Sequence, residues 1–359
     1  VELRSSYREE DVVLLLKDIT GLVEPQPTHE REKLIQSGRH YCEMLPIEYV
    51  PTKRYMQVYQ EALRIYAAPT AWAVARLAEK ILHKRGPDTV LVSLARAGIP
   101  VGILLKRFFK QYRRLELPHY AISIIRGRGI DHNAMRYLLE RYEPRQLLFV
   151  DGWIGKGAIF KELQEAVAAY PGVSPQIAVL ADPANITDLC GTHEDLLIPS
   201  SCLNCTVSGL ISRTFLRSDV IGAQDFHGAV FYGELSQSDL SESFLEAVEQ
   251  YFPDKAREQL QPDGSLQNPA APGTGMEEAA QIAEAFGMQD IHLVKPGIGE
   301  TTRVLLRRVP WKVLVDARWE SDQALRHVMR LAQEKNVPVE RYPLRHYKCC
   351  GLIKRAADL

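Results

Sequence analysis

The sequence has few cysteines, no long uncharged apolar run and almost no net charge. Its 359 residues include six cysteines, too few for a disulfide scaffold at this length, so we expect a reducing, cytoplasmic compartment. No window of about 20 apolar residues lacks charge, and the N-terminal stretch has no apolar signal region, so neither membrane insertion nor secretion is predicted. The net charge of −1 argues against general nucleic-acid coating but leaves room for a local basic patch.

Length and composition predict more than one domain. The chain is 46% hydrophobic and 25% charged, and it exceeds the usual size of a single core. Pro, Gly, Gln and Asn replace the apolar periodicity in residues 257–275, which we interpret as a flexible interdomain linker. Residues 1–54 are then a helical prelude that packs on the core, with its best helix at 9–19. Residues 55–256 form the larger domain, and 276–359 form a second domain.

Apolar strands alternate with helices in the larger domain. The predicted strands are TVLVSLA, HYAISII, QLLFVDG and QIAVLAD, and a long amphipathic helix from Tyr55 ends at Gly86 before them. Strands separated by helices of this length pair in parallel, with both faces of the sheet covered. The sequence therefore predicts an α/β fold with a doubly wound, mainly parallel sheet. Residues 290–353 predict an additional small C-terminal α/β sandwich, whose last element is the start of a helix.

A glycine-rich turn, DGWIGKGA, follows the strand QLLFV and runs from Asp151 to Ala158. Ligands of such sheets bind beyond the carboxyl ends of the strands. Gly155 and Gly157 let backbone N–H groups converge on an anion at a helix N-terminus, and Lys156 adds a charge. Asp151 is placed to accept hydrogen bonds from sugar hydroxyls. The pattern predicts a site for a phosphorylated sugar, with a tight structural turn as the alternative.

Two further loops at this edge are basic or rich in glycine. Arg96, Ala97 and Gly98 follow the strand TVLVSLA and precede a helix start, which is a second candidate anion site. Arg126 and Arg128, separated by glycine, predict a mobile basic flap. Together the three loops suit a ligand with two phosphate ends, whereas each loop taken singly is unremarkable in composition.

The stretches VSLARAGIPVG and FVDGWIGKGAI resemble those of a type I phosphoribosyltransferase, from the branch found in tellurite-resistance-linked biosynthetic operons. The resemblance covers Tyr55 to Tyr251. It implies Mg²⁺-dependent transfer from 5-phosphoribosyl-1-pyrophosphate to a base-like acceptor, and it makes residues 55–256 a phosphoribosyltransferase-like domain. In that family the loop has two adjacent acids followed by Thr-Gly, whereas here Gly152 replaces the second acid and Lys156 stands at the Thr position. The departure leaves open a non-catalytic, phosphoribosyl-pyrophosphate-sensing regulator that binds RNA.

The resemblance also implies roles for individual residues. Asp151 would contact the ribose, while Arg126 and Arg128 would close over the leaving group as the other catalytic residues. Trp153 would stack on a base or shield the sugar. The implied substrate-binding residues are Arg96, Ala97, Gly98, Gly152, Trp153, Gly155, Lys156, Gly157 and Ala158.

A second glycine-rich turn, KPGIGE, opens a basic helix in the C-terminal region. Backbone donors and the cations Arg303, Arg307 and Arg308 converge there, as in a local nucleic-acid patch. The segment resembles the Pelota-type RNA-binding domain of the kink-turn-binding ribosomal protein superfamily, which implies structured RNA as a partner. The implied RNA contacts are Lys295, Gly297, Gly299, Glu300 and Arg303. The alternative is a solvated helix face on a protein-interaction domain.

The cysteines support two other hypotheses. Cys190, His193, Cys202 and Cys205 form a C-x₂-H and C-x₂-C set that suits tetrahedral Zn²⁺, although the apolar surroundings also fit small buried hydrophobes. The rival enzyme class is a cysteine hydrolase or protease, with Cys202 or Cys190 as nucleophile and His193 or His227 as base. Spacing cannot choose among these pairs, because such partners meet in space rather than in sequence.

Overall fold

The computed structural model describes residues 3–253 and 274–355. Most of the predicted linker, 257–273, lies outside the described residues, as do 1–2, 254–256 and 356–359 at the edges of the predicted domains. The linker's predicted end at Gly275 falls on the first residue of a helix.

Helices and strands alternate through most of the described chain. The α-helices are α1 (Thr28–Gln36), α2 (Lys53–Arg85), α3 (Gly98–Arg113), α4 (His132–Leu139), α5 (Ala158–Val167), α6 (Ser241–Glu249), α7 (Gly275–Ala285), α8 (Ile298–Arg307) and α9 (Arg326–Glu334). The strands are β1 (Val13–Leu14), β2 (Lys17–Asp18), β3 (Val90–Leu94), β4 (His119–Ile122), β5 (Ile124–Ile125), β6 (Gly129–Ile130), β7 (Leu147–Val150), β8 (Ile177–Ala181), β9 (Cys190–Thr192), β10 (Gly228–Ala229), β11 (Val294–Pro296), β12 (Pro310–Val315), β13 (Val339–Arg341) and β14 (Cys349–Ile353).

The main sheet has six strands in the order β1-β4-β3-β7-β8-β9, and neighbouring strands are parallel. Successive residues of β3 pack into different apolar clusters. Leu91 packs in one cluster with residues of α2 and α3, whereas Val90 and Val92 pack in another with residues of α4 and α5. Both faces of the sheet are therefore covered, which explains why β3 reads as a continuous apolar run. The predicted α/β class and parallel pairing are confirmed.

The N-terminal prelude contains strands where a helix was predicted. Within residues 9–19, β1 joins the edge of the main sheet beside β4, and β2 pairs with β10. Leu15 packs into the cluster of one sheet face and Leu16 into that of the other. This alternation has the period of a strand, and a short continuous apolar run does not reveal that period.

The long predicted helix is confirmed as α2. It starts after Thr52, whose side chain accepts a hydrogen bond from the Tyr55 backbone N–H, and it ends at Gly86 with a φ of 84°. It packs against α3, α6 and β9, and the Tyr55 hydroxyl donates to the carbonyl of Leu306 at 2.9 Å. No helix in the described ranges combines the length and apolarity needed to cross a bilayer.

The C-terminal region is a small mixed sheet, β11-β14-β12-β13, with α7, α8 and α9 around it. β14 is one of its two inner strands and is buried along its whole length, although a helix start is predicted there. A buried run of five residues fits the centre of a sheet better than the start of a helix.

The C-terminal region packs directly on the larger one. Ile298 and Leu305 of α8 share an apolar cluster with Val58 and Leu203. The carboxylate of Asp195 accepts hydrogen bonds from the backbone N–H groups of Ile298, at 2.9 Å, and Lys348, at 3.0 Å. These contacts fix the N-terminus of α8 against the carboxyl edge of the main sheet, where the two glycine-rich turns meet.

Candidate functional site

A cavity of about 1060 Å³ lies between the carboxyl edge of the main sheet and α8. Its walls include the turns after β3 and β7, the segment between α1 and α2, and the glycine-rich turn that opens α8. The cavity therefore gathers most residues that the sequence marks as functional.

The turn after β7 forms one wall. Asp151 Oδ1 accepts from the Gly152 N–H at 2.8 Å, and burial raises the pKa of this carboxyl to about 6, although the positive charge of Arg303 opposes the shift. Lys156 Nζ donates to the carbonyl of Val294 at 2.9 Å. Burial lowers the pKa of Lys156 to about 7, and the nearby charge of Lys295 adds to this effect.

Side chains of the C-terminal region contact this turn, which is predicted to bind a sugar phosphate. The Tyr347 hydroxyl donates to the Gly155 carbonyl at 2.7 Å, and the Arg303 guanidinium lies 4.3 Å from the centroid of the Trp153 ring. Gly157 has a φ of 96° and immediately precedes α5, which starts at Ala158. The turn thus serves as a docking surface for the C-terminal region.

The glycines of the two post-strand turns are explained by their mutual packing. A Cβ on Gly98 would lie 2.3 Å from the Val150 carbonyl oxygen, and one on Gly152 would lie 3.4 Å from the Ala97 carbonyl oxygen. A side chain at Gly98 would push the turns apart, whereas a Cβ on Gly152 would only reach ordinary van der Waals contact. Such close approach of backbones is a common reason for glycine, and it needs no phosphate.

The three arginines predicted to contact pyrophosphate have other partners. Arg96 donates to Glu48 Oε1 at 2.8 Å and to the Ile211 carbonyl, and Arg126 donates to His292 Nδ1 at 3.1 Å. Arg128 forms an exposed ion pair with Glu43. The supposed flap is the hairpin β5–β6, whose Gly127 and Gly129 N–H groups both donate to the carboxylate of Glu162.

The turn that opens α8 faces the sheet edge. Lys295, Glu300 and Arg303 line the cavity. A Cβ on Gly299 would lie 3.2 Å from the Trp153 ring, and one on Gly297, which has a φ of 99°, would lie 3.3 Å from Asp195 Oδ1. Gly297 and Gly299 therefore pack at an intramolecular interface, whereas Lys295, Glu300 and Arg303 face the cavity.

Cys202 is the cavity's cysteine. It ends a 3₁₀ turn, Pro199–Cys202, that packs against α2 and α8, and its residue is 1% exposed. Burial raises the pKa of the thiol to about 12, while the positive charges of Arg307 and Arg303 act in the opposite direction. The local field therefore favours the thiolate, although burial dominates in the unliganded protein.

Cys190 has an imidazole neighbour instead. Its Sγ lies 3.5 Å from His193 Nε2, and His193 Nδ1 lies 3.0 Å from the carbonyl oxygen and 3.7 Å from Oδ2 of Asp182. A donating Nδ1–H leaves Nε2 as the acceptor that faces the thiol. Cys190 is fully buried in the apolar cluster of one sheet face and does not line the cavity.

The other residues predicted to bind a metal or to act as a base lie apart from one another in the fold. The His227 ring contacts the Ser123 hydroxyl at 2.8 Å, and Cys205 packs in a different apolar cluster from Cys190 and Cys202. Within residues 3–253 and 274–355, no three His, Cys, Asp or Glu side chains are grouped to hold a metal ion. The proposed zinc set of Cys190, His193, Cys202 and Cys205 is therefore not assembled.

Sequence reasoning missed a second thiol–imidazole pair and two cavity cations. His40 Nδ1 lies 2.9 Å from Cys42 Sγ, which an H-x-C spacing signals. Arg213 and Arg31 line the cavity from segments without a recognisable motif. No sequence signal marks these two arginines, because the fold alone brings them to the site.

Comparisons with known proteins assign both regions. A family model described as "Tellurite-like stress resistance cysteine protease StiP" matches residues 5–249, and the model of the PELOTA RNA binding domain matches 273–355. The cysteine protease StiP of Acinetobacter baylyi (strain ATCC 33305 / BD413 / ADP1) is 34% identical over 368 aligned positions. That alignment covers 98% of this chain and 94% of the relative.

These matches overturn the main functional hypothesis. The identification as a type I phosphoribosyltransferase is wrong, and so is the predicted transfer of a phosphoribosyl group, because the same residues match a family described as a cysteine protease. The matches agree with the alternative hypothesis of a cysteine hydrolase. The Pelota resemblance is supported by the match at 273–355. Over nearly its whole length, the chain belongs to the StiP cysteine protease family.

Proposed function

We propose that this chain is a cysteine peptidase in which Cys202 is the nucleophile and the cavity binds the substrate. One observation carries the choice of residue. All six cysteines lie in the described part of the chain, and Cys202 is the one among them that lines the cavity. A nucleophile must reach the carbonyl carbon that it attacks, so access to a substrate-sized space comes before any other requirement.

Two nearby charges act in favour of this role, although burial raises the pKa of the Cys202 thiol to about 12. Arg303 and Arg307 favour the thiolate form, which is the reactive species of cysteine. Asp151 lines the same cavity, shares Arg303 with Cys202 as an ionic neighbour, and is a carboxylate above pH 6. In this proposal Asp151 accepts the thiol proton and returns it to the leaving amine. The thiolate forms a thioester with the acyl half of the peptide, and water then hydrolyses that bond.

Cys190 is the second candidate nucleophile. Its contact with His193, and the contact of His193 with Asp182, is the arrangement in which an imidazole removes a thiol proton. Both thiols are buried, but Cys190 does not line the cavity, so substrate would reach it only if the apolar cluster around it opened. It is therefore the natural comparison for Cys202.

Serine variants of the two thiols test the proposal. We expect Cys202→Ser to lose about 1,000-fold or more of the kcat/KM toward an unfolded, fluorogenic protein substrate, because a serine hydroxyl is far less acidic than a thiol. Cys190→Ser, and Cys42→Ser as a second buried-thiol control, should keep wild-type activity within about threefold. Circular dichroism should show that all three variants fold. Loss of activity in Cys190→Ser with retention in Cys202→Ser would move the nucleophile to Cys190.

A further inference from the structure

The cavity carries far more positive charge than its own carboxylates balance. Within the described ranges 3–253 and 274–355, nine arginine and lysine side chains line it, against five carboxylates. Three of those carboxylates are already in ion pairs: Glu32 with Arg308 at 2.9 Å, Glu48 with Arg96 at 2.8 Å, and Glu300 with Arg303 at 3.6 Å. Among the described residues, six cavity cations have no carboxylate in an ion pair: Arg31, Arg126, Lys156, Arg213, Lys295 and Arg307.

Three of these arginines are also incompletely hydrogen-bonded. Nε of Arg31, Nε of Arg213 and Nη2 of Arg307 are buried donors without a partner in the described chain, and so is Nε of Arg303. Each of the four side chains also lines the cavity. Buried guanidinium donors are costly to leave unsatisfied, so their presence beside an open space indicates that a ligand supplies the acceptors.

Mutual repulsion supports the same conclusion. Burial lowers the pKa of Arg307 to about 9, and the charges of Arg303 and Arg96 add to this effect. The pKa of Arg213 falls to about 9 by burial and by the charges of Arg31 and Arg96. A fold that keeps like charges this close loses stability in the unliganded state, and an anion bound among them reverses the loss.

We propose that the substrate of this cavity is an acidic peptide segment, whose carboxylates bind the unpaired arginines while its backbone passes over Cys202. The inference rests on the proposed peptidase function. Arginine binds carboxylates through two parallel hydrogen bonds, which places a chain precisely enough for attack by a fixed thiol. Arg303 and Arg307 are the ionic neighbours of Cys202, so the acidic residues lie close to the bond that is cut. The apolar lining from Trp153 and Leu203 accommodates the rest of the segment.

A matched peptide series tests the inference directly. Fluorogenic peptides of about ten residues would carry Glu and Asp, or Gln and Asn at the same positions, or Lys. We expect the kcat/KM of the acidic set to exceed that of the amide set by about tenfold or more, with the Lys set slowest. The advantage should shrink as salt rises from about 0.05 to about 0.5 M, since screening weakens ionic attraction. Equal cleavage of the three sets would overturn the inference.

Neutralising one cavity arginine should reduce the preference itself. Arg213→Met should lower the ratio of acidic to amide cleavage by about fivefold, whereas Arg213→Lys should keep more of it because the charge remains. Arg145→Met is the matched control, because Arg145 lies outside the cavity and pairs with Asp88 and Glu143 on the surface. Thermal melting checks folding, and Arg213→Met should melt no lower than wild type since it removes an unpaired buried charge. An unchanged ratio in a folded Arg213→Met would contradict the assignment.

Binding to Cys202→Ser separates this inference from the peptidase proposal. Fluorescence polarisation of a labelled acidic peptide should show saturable binding to that variant, with the amide analogue binding more weakly. Binding without cleavage by the wild type would refute the peptidase proposal and leave the anion site standing. Cleavage without charge preference would refute the acidic-peptide inference and leave the peptidase proposal standing. Tight binding of a single-stranded RNA, together with no binding of acidic peptides, would overturn the inference in favour of RNA phosphates as the anion.

Discussion

Cys202 and Cys190 divide the requirements of a nucleophile between them. Cys202 borders a cavity large enough for a peptide, and its ionic neighbours are two arginines. Cys190 has an imidazole at 3.5 Å, yet it does not line the cavity, although both thiols lie in apolar clusters. A thiol–imidazole contact is easy to recognise, but it contributes to catalysis only where substrate can arrive. In the proposed mechanism, access to the cavity therefore favours Cys202 over Cys190 as the nucleophile.

The largest expected effect concerns the charges around the two thiols. Arg303→Gln should lower kcat/KM by about 100-fold, because it removes a cation that favours the Cys202 thiolate. His193→Ala should change kcat/KM by less than about threefold, since the contacts of His193 with Cys190 and Asp182 lie outside the cavity lining. Steady-state kinetics on one acidic substrate measures both. A larger loss of kcat/KM in His193→Ala than in Arg303→Gln would assign catalysis to Cys190 and His193.

The second prediction concerns the contact that places α8 beside Cys202. Asp195→Ala leaves the N–H groups of Ile298 and Lys348 without their acceptor and should cost about 1–3 kcal/mol of unfolding free energy. Activity should fall as well, because Arg303 and Arg307 are carried on that helix. Denaturant unfolding and kinetics check the two effects. Asp195→Asn keeps one acceptor oxygen and should be less damaging than Asp195→Ala.

A third prediction concerns the loss of stability caused by burying the charged ammonium of Lys156 in the cavity wall. The folded-state pKa of Lys156 is lowered to about 7 from 10.5, so the folded protein binds this proton more weakly than the unfolded chain. The penalty is complete below pH 7 and is relieved between pH 7 and 10.5. Relative to wild type, Lys156→Met should therefore gain stability as pH falls from about 10 to about 7, and the gain should level off below that. A difference in unfolding free energy that does not change with pH would contradict the assigned burial of this ammonium.

The smallest effect is on thiol reactivity. Cys202 should react with iodoacetamide several-fold faster than Cys190 in the native protein, and addition of an acidic peptide should slow only the reaction of Cys202. Peptide mapping by mass spectrometry follows both sites in one sample. Faster alkylation of Cys190 would show that its cluster opens more readily than the cavity admits a small molecule.

Much of the fold could be predicted from local patterns. The apolar run of β3 and the helical spacing of α2, with its Gly86 stop, carry their own signals. The segment 9–19 was misread, because Leu15 and Leu16 pack on opposite faces of a sheet that no local pattern announces. Strand and helix are not distinguishable in such short runs.

The site was harder to predict, because its decisive contacts join distant residues. Lys156 binds the carbonyl of Val294, and Gly299 packs on Trp153. The two glycine-rich turns were therefore each expected to bind an external phosphate, whereas they fit against one another. Glycine patterns of this kind mark close backbone approach, and they do not distinguish a bound ligand from another part of the chain. Cys202, by contrast, was among the residues named from the sequence alone.

Trapping the acyl-enzyme tests the central claim most directly. Wild-type protein mixed with an acidic peptide and quenched in acid should gain the mass of the acyl fragment, and peptide mapping should place the thioester on Cys202. The adduct should be absent from Cys202→Ser and present in Cys190→Ser. An adduct mapped to Cys190, or peptide cleavage that persists in Cys202→Ser, would contradict the account.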